Sequence, residues 1–306
     1  MTAVPLRGTK RILTDVQTFL NKEQVVGYLF IIPITIVILG LIAYPFFHAI
    51  WLSLCEKYIG KPAQFIGLDN FITLLRDATF LRTLRNSFVF TFTSLIVKVT
   101  LGLLLALLLN QSFRFRNVFR GLLFLPWIIP IAIGALVWRW TFNDMYGSIN
   151  YILLKTGLAD RPLPWLGSSG LAMFSVIAVN VWRSLPFYGL TLLAGMQTIP
   201  KHLYEAAEID GASRFQKFLF ITLPGIKHVL IVVTMLGTIW TFANFEIVFI
   251  MTKGGPSVAT HLFATLTYEI GIFGYNLGKG VAVSLYMFPM LAAMIIILAR
   301  YLYKGE

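Results

Sequence analysis

Polar residues recur at helical spacing inside two of the long apolar segments of this chain. Positions i, i+3, i+4 and i+7 of a helix share one side, and in the segment at residues 170–196 they are Asn180, Arg183, Ser184 and Phe187. Hydrocarbon penalises polar groups, so such residues are candidates for a binding site or a passage. An aromatic ring beside amide and hydroxyl groups suits a sugar, whose ring face stacks and whose hydroxyls need partners.

The segment at residues 225–251 carries a second face of the same kind. It consists of Gly237, Trp240, Thr241 and Asn244. Together the two faces predict the wall of a substrate passage, although glycine, serine and threonine in membrane helices also serve close packing, and tryptophan also marks interfaces. Arg183 can pair with Glu246 or with an anionic substrate. Pro186 can break its helix and free backbone groups that line a cavity.

No pattern in the chain predicts catalysis or metal binding. The phosphate-binding pattern Gly-x-x-x-x-Gly-Lys-Ser/Thr does not occur, so we expect the chain itself to bind no ATP. Spacing supports no Ser/His/Asp or paired-carboxylate arrangement, and the 4 histidines are scattered without metal-ligand spacing. We predict no catalytic residue, no metal site and no bound cofactor. The energy for transport would then come from a partner or an ion gradient.

Residues 198–224 form the longest polar-rich stretch between two apolar segments. Its pattern predicts two short helices that break at Gly211, since glycine accepts the left-handed conformation found just past a helix end. Thr198 can cap the first helix, with Pro200 in its first turn, and Ser213 can cap the second. On these features alone it is a surface helix-turn-helix that joins two spans.

The same stretch resembles the EAA loop of the membrane subunits of binding-protein-dependent ABC importers. The resemblance rests on Glu205-Ala206-Ala207, Gly211 and Ile221-x-Leu223-Pro224. In that family the loop forms a coupling helix that sits in a groove of the cytoplasmic ATPase, so we call residues 198–224 the coupling loop. The resemblance therefore implies contact with an ATPase for Glu205, Ala206, Ala207, Asp210, Gly211, Leu223 and Pro224.

Two further phrases resemble the carbohydrate-type permeases of that family, namely residues 65–71 and Gly254-Gly255-Pro256. The likeness to maltose-type permeases extends over essentially the whole chain and implies the type I ABC importer permease fold. It also implies four partners: a second homologous permease subunit, an ATPase dimer that holds ATP and Mg, an extracytoplasmic substrate-binding protein and a sugar. Transport would proceed by alternating access, and the two polar faces would contact the sugar.

Composition places the chain in a lipid bilayer. Of its 306 residues 58% are hydrophobic and only 12% charged, against about 25% charged in a soluble domain. We predict an all-α polytopic membrane protein with one permease domain at residues 25–303, a cytoplasmic segment at 1–24 that can form an interfacial helix, and a cytoplasmic loop at 197–224. The net charge of +12 is explained by basic loops that face anionic lipid, so no nucleic-acid partner is expected.

Six apolar runs predict six transmembrane helices, at residues 25–54, 86–109, 121–142, 170–196, 225–251 and 281–303. An even number of spans puts both termini and the coupling loop on one side. The short loop at 111–120 belongs to that side and holds Arg114, Arg116 and Arg120 without an acidic residue, which marks it as cytoplasmic. We therefore expect a multi-pass protein of the bacterial cytoplasmic membrane with both termini in the cytoplasm.

Several alternatives stay open at this point. A permease for glycerol phosphate, an acidic sugar or a polyamine would give Arg183 or Glu246 more importance. A secondary transporter would use an ion-binding carboxylate within the membrane, for which Glu246 is the one candidate. Lys98 and Arg139 lie inside spans, and each can face protein or pair with a sister subunit.

Overall fold

Long apolar runs fold as helices here because a backbone in hydrocarbon must satisfy its hydrogen bonds internally. The computed structural model describes residues 23–303. Within them, five helices are long and apolar enough to cross a membrane: Phe30–Ser53, Ala78–Asn110, Ser169–Gln197, Lys227–Met251 and Leu277–Arg300. A bent pair, Arg116–Ile128 and Ile131–Thr141, makes a sixth span if it is counted as one. The predicted all-α polytopic membrane fold is confirmed. In chain order we call these six elements the first to the sixth span.

The described residues divide into two compact units, with the boundary between Leu52 and Ser53. In the first unit, helix Glu23–Ile38 continues through a π-helical turn, Leu39–Ala43, into helix Tyr44–Ser53. The interfacial helix predicted within residues 1–24 lies almost entirely outside the described residues.

The second unit starts with a short hairpin that the sequence did not predict. Strands Cys55–Glu56 and Gln64–Phe65 pair in antiparallel register, and helix Asp69–Arg76 follows. The second span begins at Ala78, eight residues before the predicted start at 86. Asp77 explains the early start, because its carboxylate accepts a hydrogen bond of 2.8 Å from the Thr79 amide and so caps the helix.

The third span is not the single run that the sequence predicted. Helices Arg116–Leu123 and Leu125–Ile128 are followed by helix Ile131–Thr141 at an angle of 92°. Pro130 occupies the bend, and because it has no amide hydrogen it cannot continue the helical hydrogen bonding. Helix Ser148–Lys155 follows in the next loop, where the Asn150 side chain binds the backbone of Asp144 and Leu163.

The fourth span is one uninterrupted helix, Ser169–Gln197, so the break considered at Pro186 does not occur. The interruption lies in the fifth span instead, where three residues separate the end of helix Lys227–Phe242 from the start of helix Glu246–Met251. Helix Phe263–Tyr268 and a π-helical turn, Glu269–Phe273, then lead into the last helix, Leu277–Tyr303. Both elements lie between the fifth and sixth spans that the sequence predicted, at residues 225–251 and 281–303.

Small residues let the second and fourth spans approach closely. A Cβ on Gly102 would lie 2.7 Å from the Tyr188 Cβ, and one on Gly189 would lie 2.5 Å from a Leu105 methyl carbon. Association in a membrane depends on such packing because lipid is as apolar as the helix surfaces. A buried apolar cluster that includes Leu95, Leu192 and Met196 fills this contact between the two spans.

Candidate functional site

A polar cavity of about 210 Å³ lies among the second, third, fourth and fifth spans. Its lining residues are Lys98, Trp127, Ile131, Asn180, Arg183, Ser184, Trp240, Thr241, Ala243, Asn244, Glu246 and Ile247. Two backbone interruptions border it, the bend before Pro130 and the break at residues 243–245. Irregular backbone within a membrane occurs where it is buried in protein or lines a cavity. The position of the two breaks beside this cavity follows that rule.

Three aromatic rings gather at one side of the cavity. The Trp127 ring stacks on Phe187, with centroids 5.2 Å apart and planes 16° apart. Trp240 meets both, at 5.7 Å from Trp127 and 5.1 Å from Phe187. Trp240 stays 47% exposed, so part of an aromatic face is free to stack against a ligand ring.

Arg183 is anchored by the bend in the third span. Its Nη1 donates a hydrogen bond of 2.8 Å to the Ile129 carbonyl, which precedes Pro130. The guanidinium carbon also lies 5.8 Å from the centre of the Trp127 ring, within cation–π range. These two contacts fix the guanidinium beside the cavity.

Two buried amide oxygens lack donors. Neither the Asn180 Oδ1 nor the Asn244 Oδ1 has a hydrogen-bond partner among the described residues, and both side chains are buried. An unpaired buried acceptor is costly, by about 1–3 kcal/mol. Both residues line the cavity, so a hydroxyl or amine of a ligand can supply the missing donor.

Lys98 reaches the cavity from the second span, although only 2% of the residue is exposed. Its Nζ donates to the Thr241 Oγ1 at 2.9 Å, and that hydroxyl in turn donates to the Gly237 carbonyl at 2.5 Å. Thr241 is the penultimate residue of its helix. A cation is favourable there, since the last carbonyls of a helix carry partial negative charge.

Seven of the eight predicted substrate residues gather at or beside this cavity, and one does not. Phe187 stands behind the wall, in contact with the rings of Trp127 and Trp240. Gly237 faces Tyr188 instead, since a Cβ on Gly237 would lie only 1.6 Å from the tyrosine oxygen. Its part in the structure is therefore close packing between the fourth and fifth spans.

The sequence analysis missed Trp127 as a site residue and left the place of Lys98 open. Trp127 belongs to a span without a polar face, so periodicity gave no signal. The two flanking prolines, Pro126 and Pro130, were the available sign, because an interrupted span exposes backbone and the side chains around it.

The coupling loop has the predicted two-helix form. Helix Lys201–Ile209 ends before Gly211, whose φ of +75° is the left-handed conformation that glycine adopts easily. Ser213 caps the following helix, Arg214–Lys217, through a reciprocal pair of bonds with Gln216. Thr198 does not cap the first helix, because its hydroxyl donates back to the Gly195 carbonyl of the fourth span.

Two side-chain contacts tie the coupling loop together. The Lys217 Nζ lies 2.6 Å from the Glu208 Oε1, and this hydrogen bond together with the positive charge lowers the pKa of Glu208 below its usual range. The Tyr204 and Thr222 hydroxyls lie 2.9 Å apart. The loop thus keeps its shape while it leaves large apolar side chains exposed: Leu203, Ile209, Phe215, Leu219 and Phe220.

Interrupted membrane helices around a polar cavity, with an ordered loop that exposes apolar side chains, define a membrane permease. The match to known proteins is more specific. Residues 98–303 match the family described as binding-protein-dependent transport system inner membrane component, and the chain belongs to that family.

Relatives and solved structures agree with this assignment. The trehalose/maltose transport system permease protein of Thermococcus litoralis is 38% identical over 90% of this chain and 93% of its own length. The sulfoquinovosyl glycerol transport system permease protein of Agrobacterium fabrum is 32% identical over 88% and 87%. A chain of a bacterial ABC transporter that imports the acidic polysaccharide alginate shares the fold, with a TM-score of 0.80 at 23% identity over 95% and 98%.

Proposed function

We propose that this chain forms one wall of a sugar passage in an ATP-driven importer of the bacterial cytoplasmic membrane. The observation that carries the proposal is the cavity, which combines a half-exposed tryptophan with two buried amide acceptors, Asn180 and Asn244. Aromatic faces and hydroxyl-binding acceptors are what a sugar requires. The names of the trehalose/maltose and sulfoquinovosyl glycerol relatives support the same class of substrate.

The small volume of the cavity supports the proposal that the passage is shared between two subunits. Its volume of about 210 Å³ is below the roughly 300–1,000 Å³ of ordinary ligand pockets. A second, homologous permease subunit would complete the wall and enlarge the space. An extracytoplasmic binding protein would deliver the sugar to the outer side, and both chain termini would lie in the cytoplasm.

The coupling loop would connect this passage to a cytoplasmic ATPase dimer. Exposed apolar side chains such as Ile209, which is 88% exposed, are unfavourable in water and favour a protein partner. Glu205, Ala206 and Ala207 would lie in a groove of that ATPase, which alone would bind ATP and Mg. Closure of the ATPase dimer would draw the coupling loops together and open the cavity outward, and hydrolysis would reset it.

The test is ATP hydrolysis and uptake by the complete importer in nanodiscs, with its binding protein and a panel of sugars. We expect one class of sugar to stimulate both activities. Glu205→Lys should lower uptake per ATP hydrolysed without loss of assembly, whereas Lys155→Met, an exposed change in the loop after the third span, should not. A chain that purifies without any ATPase, or an importer that no sugar stimulates, would refute the proposal.

A further inference from the structure

The charges around the cavity are unequal. Lys98 and Arg183 supply two cations, and Glu246 is the one acidic residue that lines it. Neither cation makes an ion pair within 4.0 Å in the part of the chain that the structure describes, where Lys217–Glu208, His261–Glu269 and Lys279–Asp77 are the pairs found. The cavity therefore has an excess of one positive charge, two minus one.

Glu246 forms no ion pair within 4.0 Å with either cation among the described residues, but its charge acts on the Arg183 guanidinium. Glu246 is exposed and occupies the first position of helix Glu246–Met251. The amide groups at the start of a helix already favour a negative charge at that place. Glu246 therefore offsets part of the Arg183 charge, whereas no acidic side chain among residues 23–303 is found to act on Lys98.

Lys98 is the more unusual of the two cations. An ammonium group has three hydrogens to donate, and the one acceptor found for it among residues 23–303 is the Thr241 hydroxyl. A buried charge is costly unless it is paired and fully hydrogen-bonded. The remaining N–H donors and the charge of Lys98 would both be satisfied by an anionic acceptor. Such an anion can reach the ammonium group through the cavity, which Lys98 lines.

The cavity also offers sites for hydroxyl groups, namely the unpaired oxygens of Asn180 and Asn244. We infer that the substrate is an acidic sugar derivative, whose carboxylate, sulfonate or phosphate group binds Lys98 while its hydroxyls donate to the two asparagines. Arg183, held by the Ile129 carbonyl, adds a second positive charge. The inference rests on the proposed sugar passage and narrows its substrate. A polyamine or other cationic substrate would meet like charge here.

A purely structural role for Lys98 makes a different prediction. If the ammonium only balances the end of helix Lys227–Phe242, its loss should affect every substrate alike. If it binds the acidic group, its loss should affect acidic sugars far more than neutral ones. The ratio of the two uptake rates separates these roles.

The experiment uses the complete importer in nanodiscs with its own binding protein and pairs of sugars that differ in one acidic group. Glucosyl glycerol is paired with sulfoquinovosyl glycerol, and maltose with its glucuronate analogue. Each pair is tested on the wild type, on Lys98→Met and on the control Lys155→Met. The binding protein is the same throughout, so its own selectivity cancels when variants are compared.

We expect the wild type to transport the acidic member of a pair in preference to the neutral one. Lys98→Met should lower the acidic-to-neutral ratio of uptake roughly 10- to 100-fold, the effect of one hydrogen bond to a charged group. Lys98→Arg should retain most of the ratio, and Lys155→Met all of it.

Three results would overturn the inference, each in its own way. Preference of the wild type for neutral sugars would refute it and leave the sugar passage standing. Equal loss of both members in Lys98→Met would assign Lys98 a structural role. Failure of every sugar to stimulate the assembled importer would refute the proposed function itself. The wild-type comparison needs no variant, so it decides the substrate class even if Lys98→Met does not assemble.

Discussion

Gly211 offers a test of the coupling loop in which only the backbone is perturbed. Its φ is +75°, and a Cβ added there would meet nothing within 4 Å. Gly211→Ala therefore creates no clash, and its cost is that of the left-handed conformation, about 1–2 kcal/mol for a residue with a Cβ. That cost corresponds to a factor of roughly 5–30 in the population of the native turn.

The chain provides a matched control in Gly157. Its φ is +71°, a Cβ there also meets nothing within 4 Å, and it follows helix Ser148–Lys155 in the loop after the third span. Gly157→Ala should thus carry the same local strain far along the chain from the coupling loop. Gly211→Asn is a second control, because asparagine adopts the left-handed conformation more readily than alanine.

The assay measures sugar uptake and ATP hydrolysis together in the reconstituted importer. We expect Gly211→Ala to lower uptake per ATP hydrolysed, with Gly211→Asn closer to the wild type and Gly157→Ala unchanged. A normal ratio in Gly211→Ala, or an equal drop in Gly157→Ala, would refute the view that the turn at Gly211 holds the loop in its coupling shape.

Three other predictions concern the cavity, the packing behind it and one histidine. Trp240→Ala should weaken sugar uptake roughly 2- to 10-fold, the value of one aromatic contact, and loss of the assembled complex instead would show that Trp240 only packs. Gly237→Ala should destabilise the protein by about 1–3 kcal/mol in thermal unfolding, because the added Cβ would overlap Tyr188. The control Gly134→Ala should lower the stability much less, since the nearest neighbour of its Cβ is 3.6 Å away. Equal melting temperatures of the two variants would contradict this prediction. Burial lowers the pKa of His261 despite its contact with Glu269. As the pH falls, this histidine is therefore protonated first in the unfolded chain, and the stability of the fold should decrease below the usual histidine pKa of about 6.5. His261→Asn should flatten this dependence of stability on pH.

The hydrophobic pattern of the sequence predicted the features that depend on whole segments, namely the number and order of the spans. Hydrocarbon leaves a long apolar run few choices other than a helix, so the number and order of spans follow from composition. The ends were harder to predict, because single side chains decide them. Asp77 moves the start of the second span to Ala78 by capping it, whereas the sequence predicted a start at residue 86.

The interruptions were the main difficulty in the site. Proline inside a membrane helix is tolerated where neighbours satisfy the freed groups, and Pro186 lies buried within a continuous helix. The fifth span breaks at residues 243–245 without any proline. The sequence indicates where a break is possible, but only the packing of the neighbouring spans decides where it occurs.

The two breaks explain why the cavity lies where it does. At the first, the bend before Pro130 frees the Ile129 carbonyl, which holds Arg183 and brings Trp127 beside it. At the second, the end of helix Lys227–Phe242 places Thr241 against Lys98. Each break thus places a hydrogen-bond acceptor against one of the two cations that line the cavity, the Ile129 carbonyl for Arg183 and the Thr241 hydroxyl for Lys98. Lys98 and Arg183 thus come together because of irregular backbone in two other spans, which periodicity within their own helices could not reveal.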